Sequence, residues 1–148
     1  MNKFILLVSC LGVLQSFVLQ NEVLPVSWDT LQDVPFREAF VKEIGGYMLF
    51  PNFTPALKKL DGKIVRIEGY VVPFDKTGAK IALSANSYAA CFFCGKAGPA
   101  SVMTINLKVP NTKYRTDQYR SFKGKLRLNE KDVNEFYYIL EGAEQVKQ

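Results

Sequence analysis

The chain contains no histidine at all and only three cysteines, Cys10, Cys91 and Cys94. Without an imidazole there is no Ser-His-Asp triad, no Cys-His dyad, no HExxH zinc site and no histidine proton switch. Net charge is also mild. Nineteen Lys and Arg stand against 14 Asp and Glu, a formal +5, which is far from the density of a dedicated nucleic-acid binder. Internal repeats and low-complexity linkers are absent. What remains is 148 residues at 48% hydrophobic, enough for one globular domain and too apolar for a disordered or fibrous chain.

The longest apolar stretch lies at the N-terminus. Met1-Asn2-Lys3 precedes Phe4 to Leu19, and Gln20-Asn21-Glu22 closes it. A basic start, an apolar centre and a polar edge form the pattern of a secretory signal, expected over residues 1–20. The stretch falls short of the roughly 20 residues that a helical span needs, so a retained anchor is the alternative. Leu7-Val8-Ser9-Cys10 has the form of a lipoprotein box. It leaves too short an apolar core before the cysteine, and an exposed apolar run after it. Removing residues 1–20 takes away Lys3 and Cys10, which leaves 18 basic and 14 acidic residues, a formal +4, with Cys91 and Cys94 as a pair. The expected location is periplasmic or secreted.

Residues 21–60 read as an N-terminal extension packing on a barrel. Ser27 is a fitting N-cap for a short helical turn from Trp28, ended by Pro35. Phe36 to Phe50 carries two patterns. Phe36, Phe40, Ile44 and Tyr47 fit a helix face, while Gly45-Gly46 suits a turn leading into a strand at Tyr47–Phe50. Phe53 to Leu60 has room for one helical turn.

From residue 61 onward the signals are β. Val65, Ile67, Gly69 and Val71 keep a period of two within a long strand from Lys63 to Phe74, kinked at Gly69. Asp75-Lys76-Thr77-Gly78 is a turn, and Lys80–Ser84 is the next strand. A loop spans Asn86 to Pro99. Val102–Val109 is the third strand, with Met103, Ile105, Leu107 and Val109 on one face. Tyr119–Leu128 is the fourth, with Gly124 at its centre. Asn129–Asp132 turns the chain into a fifth strand that starts at Phe136 and reaches Val146. Mainly β, five strands and a long kinked first strand predict a partly open, OB-like Greek-key barrel over residues 61–148.

Three segments also carry a family likeness: Asp61 to Pro73, Cys91-Phe92-Phe93-Cys94-Gly95-Lys96-Ala97-Gly98-Pro99, and Phe122-Lys123-Gly124-Lys125-Leu126. Together they resemble a group of small exported bacterial proteins of the Bacteroidetes type, whose function is unassigned. The likeness covers most of residues 28–146, and it implies an exported OB-like domain with a Cys-x-x-Cys-Gly loop. Wider relatives carry a histidine near the cysteine, which this chain lacks.

Cys91 and Cys94 are the candidate metal ligands. In a Cys-x-x-Cys-Gly turn both thiolates can point at one ion. Zinc normally draws two further cysteines or histidines, and the mature chain supplies neither, so carboxylates, water or a second copy would complete it. Copper(I) accepts two thiolates alone. A redox dithiol is the second reading, although Gly95, Gly98 and Pro99 leave no helix to lower a thiol pKa. A local disulfide bracing the loop is the third, and an oxidising compartment favours it.

Tyr114, Arg115, Tyr119, Arg120, Lys123, Lys125 and Arg127 form a basic and aromatic run. It suits a small anionic ligand or an ordinary solvated strand face, and export argues against nucleic acid. Glu68 and Glu141 are carboxylates that nothing in the sequence brings together. Asn52-Phe53-Thr54 matches a glycosylation sequon of eukaryotic secretory routes only. The expected function is an exported binding or accessory module, handling metal or stabilised by it, with an unknown protein or small anion as partner. A thiol-disulfide oxidoreductase and a structural domain with a bracing disulfide are the alternatives.

These three readings of the cysteine pair separate on one sample. Residues 21–148, purified without reductant or chelator, should show two free thiols and near-stoichiometric zinc or copper if the pair holds metal. Absence of both leaves a disulfide, and its reduction potential then divides redox work from bracing.

Overall fold

The computed structural model describes residues 22–88 and 98–147. The signal segment, Cys10, Cys91 and Cys94 lie outside the described residues. Ten elements of helix and strand run in chain order: β1 (Leu24–Pro25), α1 (Trp28–Gln32), β2 (Phe36–Val41), β3 (Gly46–Pro51), α2 (Pro55–Lys58), β4 (Ile64–Pro73), β5 (Lys80–Ser84), β6 (Val102–Leu107), β7 (Tyr119–Leu128) and β8 (Tyr138–Val146). A 3-10 turn, Pro99–Ser101, leads into β6.

The barrel strands follow the order β4-β5-β6-β8-β7, and β7 pairs back onto β4. The β6–β8 pair is parallel and the other four are antiparallel. This is the Greek-key order expected of an OB-like barrel, and it is closed rather than partly open. Closure depends on β4. Its first part, Ile64 to Tyr70, pairs with β7, and its last part, Tyr70 to Pro73, pairs with β5. Gly69 sits where the strand changes partner. A Cβ there would lie 2.5 Å from the Ser84 carbonyl oxygen and 3.1 Å from Leu83 Cγ, so no side chain fits. Gly124 plays the matching part on β7. A Cβ there would lie 2.9 Å from the Glu141 carbonyl oxygen, beside the register shift between Lys123 and Lys125.

The alternation read from the sequence places the core. Val65, Ile67 and Val71 of β4 turn inward, and so do Ile81, Leu83, Met103, Ile105, Phe122, Leu126, Tyr138 and Leu140. The N-terminal segment contributes Leu31, Val34, Phe53 and Leu57 to the same cluster. Ser27 caps α1 by accepting the Thr30 N–H, and Thr54 caps α2 by accepting the Leu57 N–H. Two long-range bonds tie α1 to the barrel. Trp28 Nε1 donates to the Glu68 carbonyl at 2.8 Å, and the buried Tyr138 hydroxyl donates to the Leu31 carbonyl at 2.5 Å. Burial raises the Tyr138 phenol pKa far above its ordinary value. Among the described residues, every member of the core cluster and every residue packed against it lies between Leu24 and Ala143.

Of the two patterns in Phe36 to Phe50, the strand at Tyr47–Phe50 holds and the helix does not: the segment is a β-hairpin with its turn at residues 42–45. Two strand ends differ by more than one residue from the sequence expectations. β6 ends at Leu107, because its register against β8 shifts after Ile105; Val109 is exposed. β8 starts at Tyr138 rather than Phe136, because the Asn129 side chain takes the carbonyls of Glu135 and Phe136.

Gly69→Ala forces the β4 and β5 backbones apart where the barrel closes. The expected cost is about 2–3 kcal/mol, read as a lower urea midpoint with an unchanged denaturant slope.

Candidate functional site

On β5 and β6 the residues that face away from the core lie opposite one another: Lys80 with Asn106, Ala82 with Thr104, and Ser84 with Val102. Ala82, Ser84 and Thr104 are nonetheless nearly buried, so this outer face is covered. Lys80, Thr104 and Val102 floor a cleft of about 390 Å³. Met48 of β3 forms one wall, and Val133 to Tyr137 of the β7–β8 connection form another. Phe74, just after β4, and Pro99 close the ends.

The β7–β8 connection takes its shape from one side chain. Asn129 is 6% exposed. Its Nδ2 donates to the carbonyls of Asp132, Glu135 and Phe136 at 2.7, 3.2 and 3.2 Å. Its Oδ1 accepts the N–H groups of Lys131 and Asp132 at 3.2 and 2.9 Å. With the loop's polar backbone satisfied from inside, Val133 and Phe136 are left to face the cleft.

The β4–β5 turn is shaped the same way by Asp75. Its carboxylate accepts the Thr77 hydroxyl and the backbone N–H groups of Thr77, Ala79 and Lys80. These bonds, the Thr77 hydroxyl foremost, hold its pKa below the ordinary carboxylate value. The turn joins Phe74 and Lys80, both of which line the cleft.

An ionic chain runs along one end. Lys80 Nζ lies 3.7 Å from Glu135 Oε1, Glu135 Oε2 accepts Arg127 Nη2 at 2.7 Å, and Arg127 Nε donates to Glu141 Oε1 at 2.6 Å. Glu135, more than Glu141, raises the Arg127 pKa. All four side chains are partly solvated, so the chain fixes positions more than it adds stability.

The predicted site residues divide. Cys91 and Cys94 belong to the β5–β6 connection and lie outside the described residues. Among the described residues no three His, Cys, Asp or Glu side chains group as a metal site. The basic run is shared out. Lys123 pairs with Glu144, which also holds Lys108. Arg127 pairs with Glu135 and Glu141, and Arg120 donates to its neighbour's carbonyl. The Tyr114 ring packs on Phe122, and Ser121 is buried and accepts from Arg66 Nε at 2.9 Å. Glu68 lies opposite Ser121, whereas Glu141 lies opposite Lys125 and bonds Arg127, so the two carboxylates do not work as a pair. The cleft residues themselves escaped the sequence reading. The signal that could have found them is Asn129 ahead of Val133 and Phe136, a turn-forming residue followed by apolar residues that no strand claims.

The fold has a counterpart among solved structures. The fold is that of a DUF3299-family protein from Pseudomonas aeruginosa PAO1. The two superpose with a TM-score of 0.55 at 12% identity, over 86% of this chain and 98% of the other. DUF3299 is an uncharacterised bacterial family, and at this identity the likeness concerns the fold alone. No family model matches the sequence, and no curated protein matches it.

Asp75 stabilises only as a carboxylate, and its hydrogen bonds, the Thr77 hydroxyl foremost, hold its folded pKa below the ordinary carboxylate value. Its contribution is therefore full above the ordinary carboxylate range and disappears as pH falls through the folded value. Asp75→Asn should be less stable than the parent at neutral pH, and the deficit should shrink below about pH 4. Thermal midpoints of both proteins across that range check it; a deficit that is constant with pH counts against the charged turn.

Proposed function

We propose that the chain is an exported binding or accessory module whose ligand surface is the cleft on the outer face of β5 and β6. One observation carries this reading. The cleft lies on the second and third barrel strands, between the β4–β5 and β7–β8 connections, which is where barrels of this order bind ligands. Its volume is in the range of small-molecule sites, and its walls are mainly apolar with a few polar groups at one end. A ligand with an apolar body suits Met48, Phe74, Val102 and Phe136, and Lys80 offers an ammonium to an anionic group. Membership in the Bacteroidetes-type exported family rests on the sequence likeness.

Cys91 and Cys94 form the second part of the proposal, as thiolate ligands for zinc or copper(I). Their support is the sequence spacing. The connection that carries them leads in sequence to Pro99, which lines the cleft.

The cleft is tested with N-phenyl-1-naphthylamine, an uncharged apolar fluorophore. Saturable enhancement with a micromolar Kd is expected, weakened about tenfold or more by Val102→Asp, which sets a carboxylate on the cleft floor. Circular dichroism confirms that the variant is folded. No saturable signal from the parent protein, or equal affinity in the variant, overturns the reading.

A further inference from the structure

The β2–β3 hairpin has two unlike faces. Arg37, Ala39 and Val41 alternate with Phe36, Glu38 and Phe40 along β2, and the register sets Phe50 and Met48 with the first group and Tyr47 and Leu49 with the second. The first face turns toward the barrel. It shares a hollow with Lys131 and Val133, Arg37 lies over the Phe50 ring at 5.3 Å, and Met48 reaches the cleft. Phe36 of the second group packs against the core and the Tyr137 ring, and Phe40 borders the hollow; from Phe40 outward the second face is largely exposed. Phe40 is 54% exposed, Tyr47 69% and Leu49 45%, and Ile44 at the turn is 55% exposed. Phe40 and Tyr47 pack edge to face with centroids 5.4 Å apart, an aromatic pair standing in water. Among the described residues the hairpin is a sheet of two strands with no third strand beside it.

Taking aromatic side chains at about 200 Å², the open apolar area is on the order of 400 Å², a size that on monomers is often functional. A second copy docked face to face would bury about 800 Å² in total, below the roughly 1,200 Å² of stable protein interfaces. A lipid surface has no such threshold. It takes apolar side chains to a depth of about 5–10 Å and favours aromatics at the headgroup level. Within the hairpin Arg37 and Lys42 balance Glu38 and Glu43, so insertion there is apolar. The formal +4 of residues 21–148 adds a longer-range attraction to anionic headgroups.

We propose that the open face of the β2–β3 hairpin, through Phe40, Ile44, Tyr47 and Leu49, docks on an anionic lipid surface. This is independent of the cleft reading. The test floats residues 21–148 with vesicles of phosphatidylcholine and phosphatidylglycerol. The parent protein should float, Phe40→Ser/Tyr47→Ser should lose about tenfold or more in partitioning, and Val102→Asp should float like the parent. Circular dichroism checks the fold; should the double variant unfold, Ile44→Asp at the turn carries the test and should show the same loss. Failure of the parent protein to float, or equal flotation of a folded hairpin variant, overturns the proposal. So does a concentration-dependent dimer in sedimentation that the hairpin variant abolishes, since the face would then belong to a second copy.

Discussion

The barrel exists because one strand serves two partners. β4 hydrogen-bonds to β7 through Tyr70 and to β5 from Tyr70 onward, and the change of partner needs a residue with no side chain. At Gly69 the β5 backbone comes so close that a methyl group would meet the Ser84 carbonyl. Everything beyond that point inherits its position from this crossing. β5 is laid across the end of β4, β6 follows β5 in antiparallel register, and the outward pairs Lys80–Asn106, Ala82–Thr104 and Ser84–Val102 become a cleft floor. Trp28 stands over the same crossing, its indole bonded to the Glu68 carbonyl, so the N-terminal segment braces the point of greatest backbone crowding.

That segment does more than decorate. Leu31 and Leu57 are as deeply buried as the barrel's own interior, and the Tyr138 hydroxyl donates to the Leu31 carbonyl. A buried phenol without an acceptor costs about 1–3 kcal/mol. α1 therefore supplies both apolar contacts and an acceptor for a tyrosine in the core. The hairpin that follows carries Met48 to the cleft, which links the packing of residues 22–60 to the cleft's shape.

The strands were legible because the rules that form them are local. Val65-Ile67-Gly69-Val71 shows its period of two in the residues themselves, and Asp75 to Gly78 announces a turn by composition. Lys80–Ser84 and Tyr119–Leu128 coincide with the strands read from sequence, and the five-stranded order followed. Phe36 to Phe50 was ambiguous because Phe36, Phe40, Ile44 and Tyr47 satisfy a helical spacing while also placing Phe40 and Tyr47 opposite each other in a hairpin. Only the paired strand decides between them. The cleft was not legible. It gathers Met48, Phe74, Lys80, Val102 and Phe136 from five separate segments, and no local pattern encodes that they meet. Cys91 and Cys94 stood out in the sequence for their chemistry, and chemistry alone says nothing of what faces them.

Asn129 gives the cleft wall an unusual division of labour. The bonds that fix the β7–β8 connection run from one interior amide to main-chain groups, which every residue except proline presents alike on the donor side and all residues present on the acceptor side. The contour of the loop is thus nearly indifferent to the side chains it displays. The side chains of Val133 and Phe136 make none of these bonds, so the lining they give the cleft can vary while the wall keeps its course.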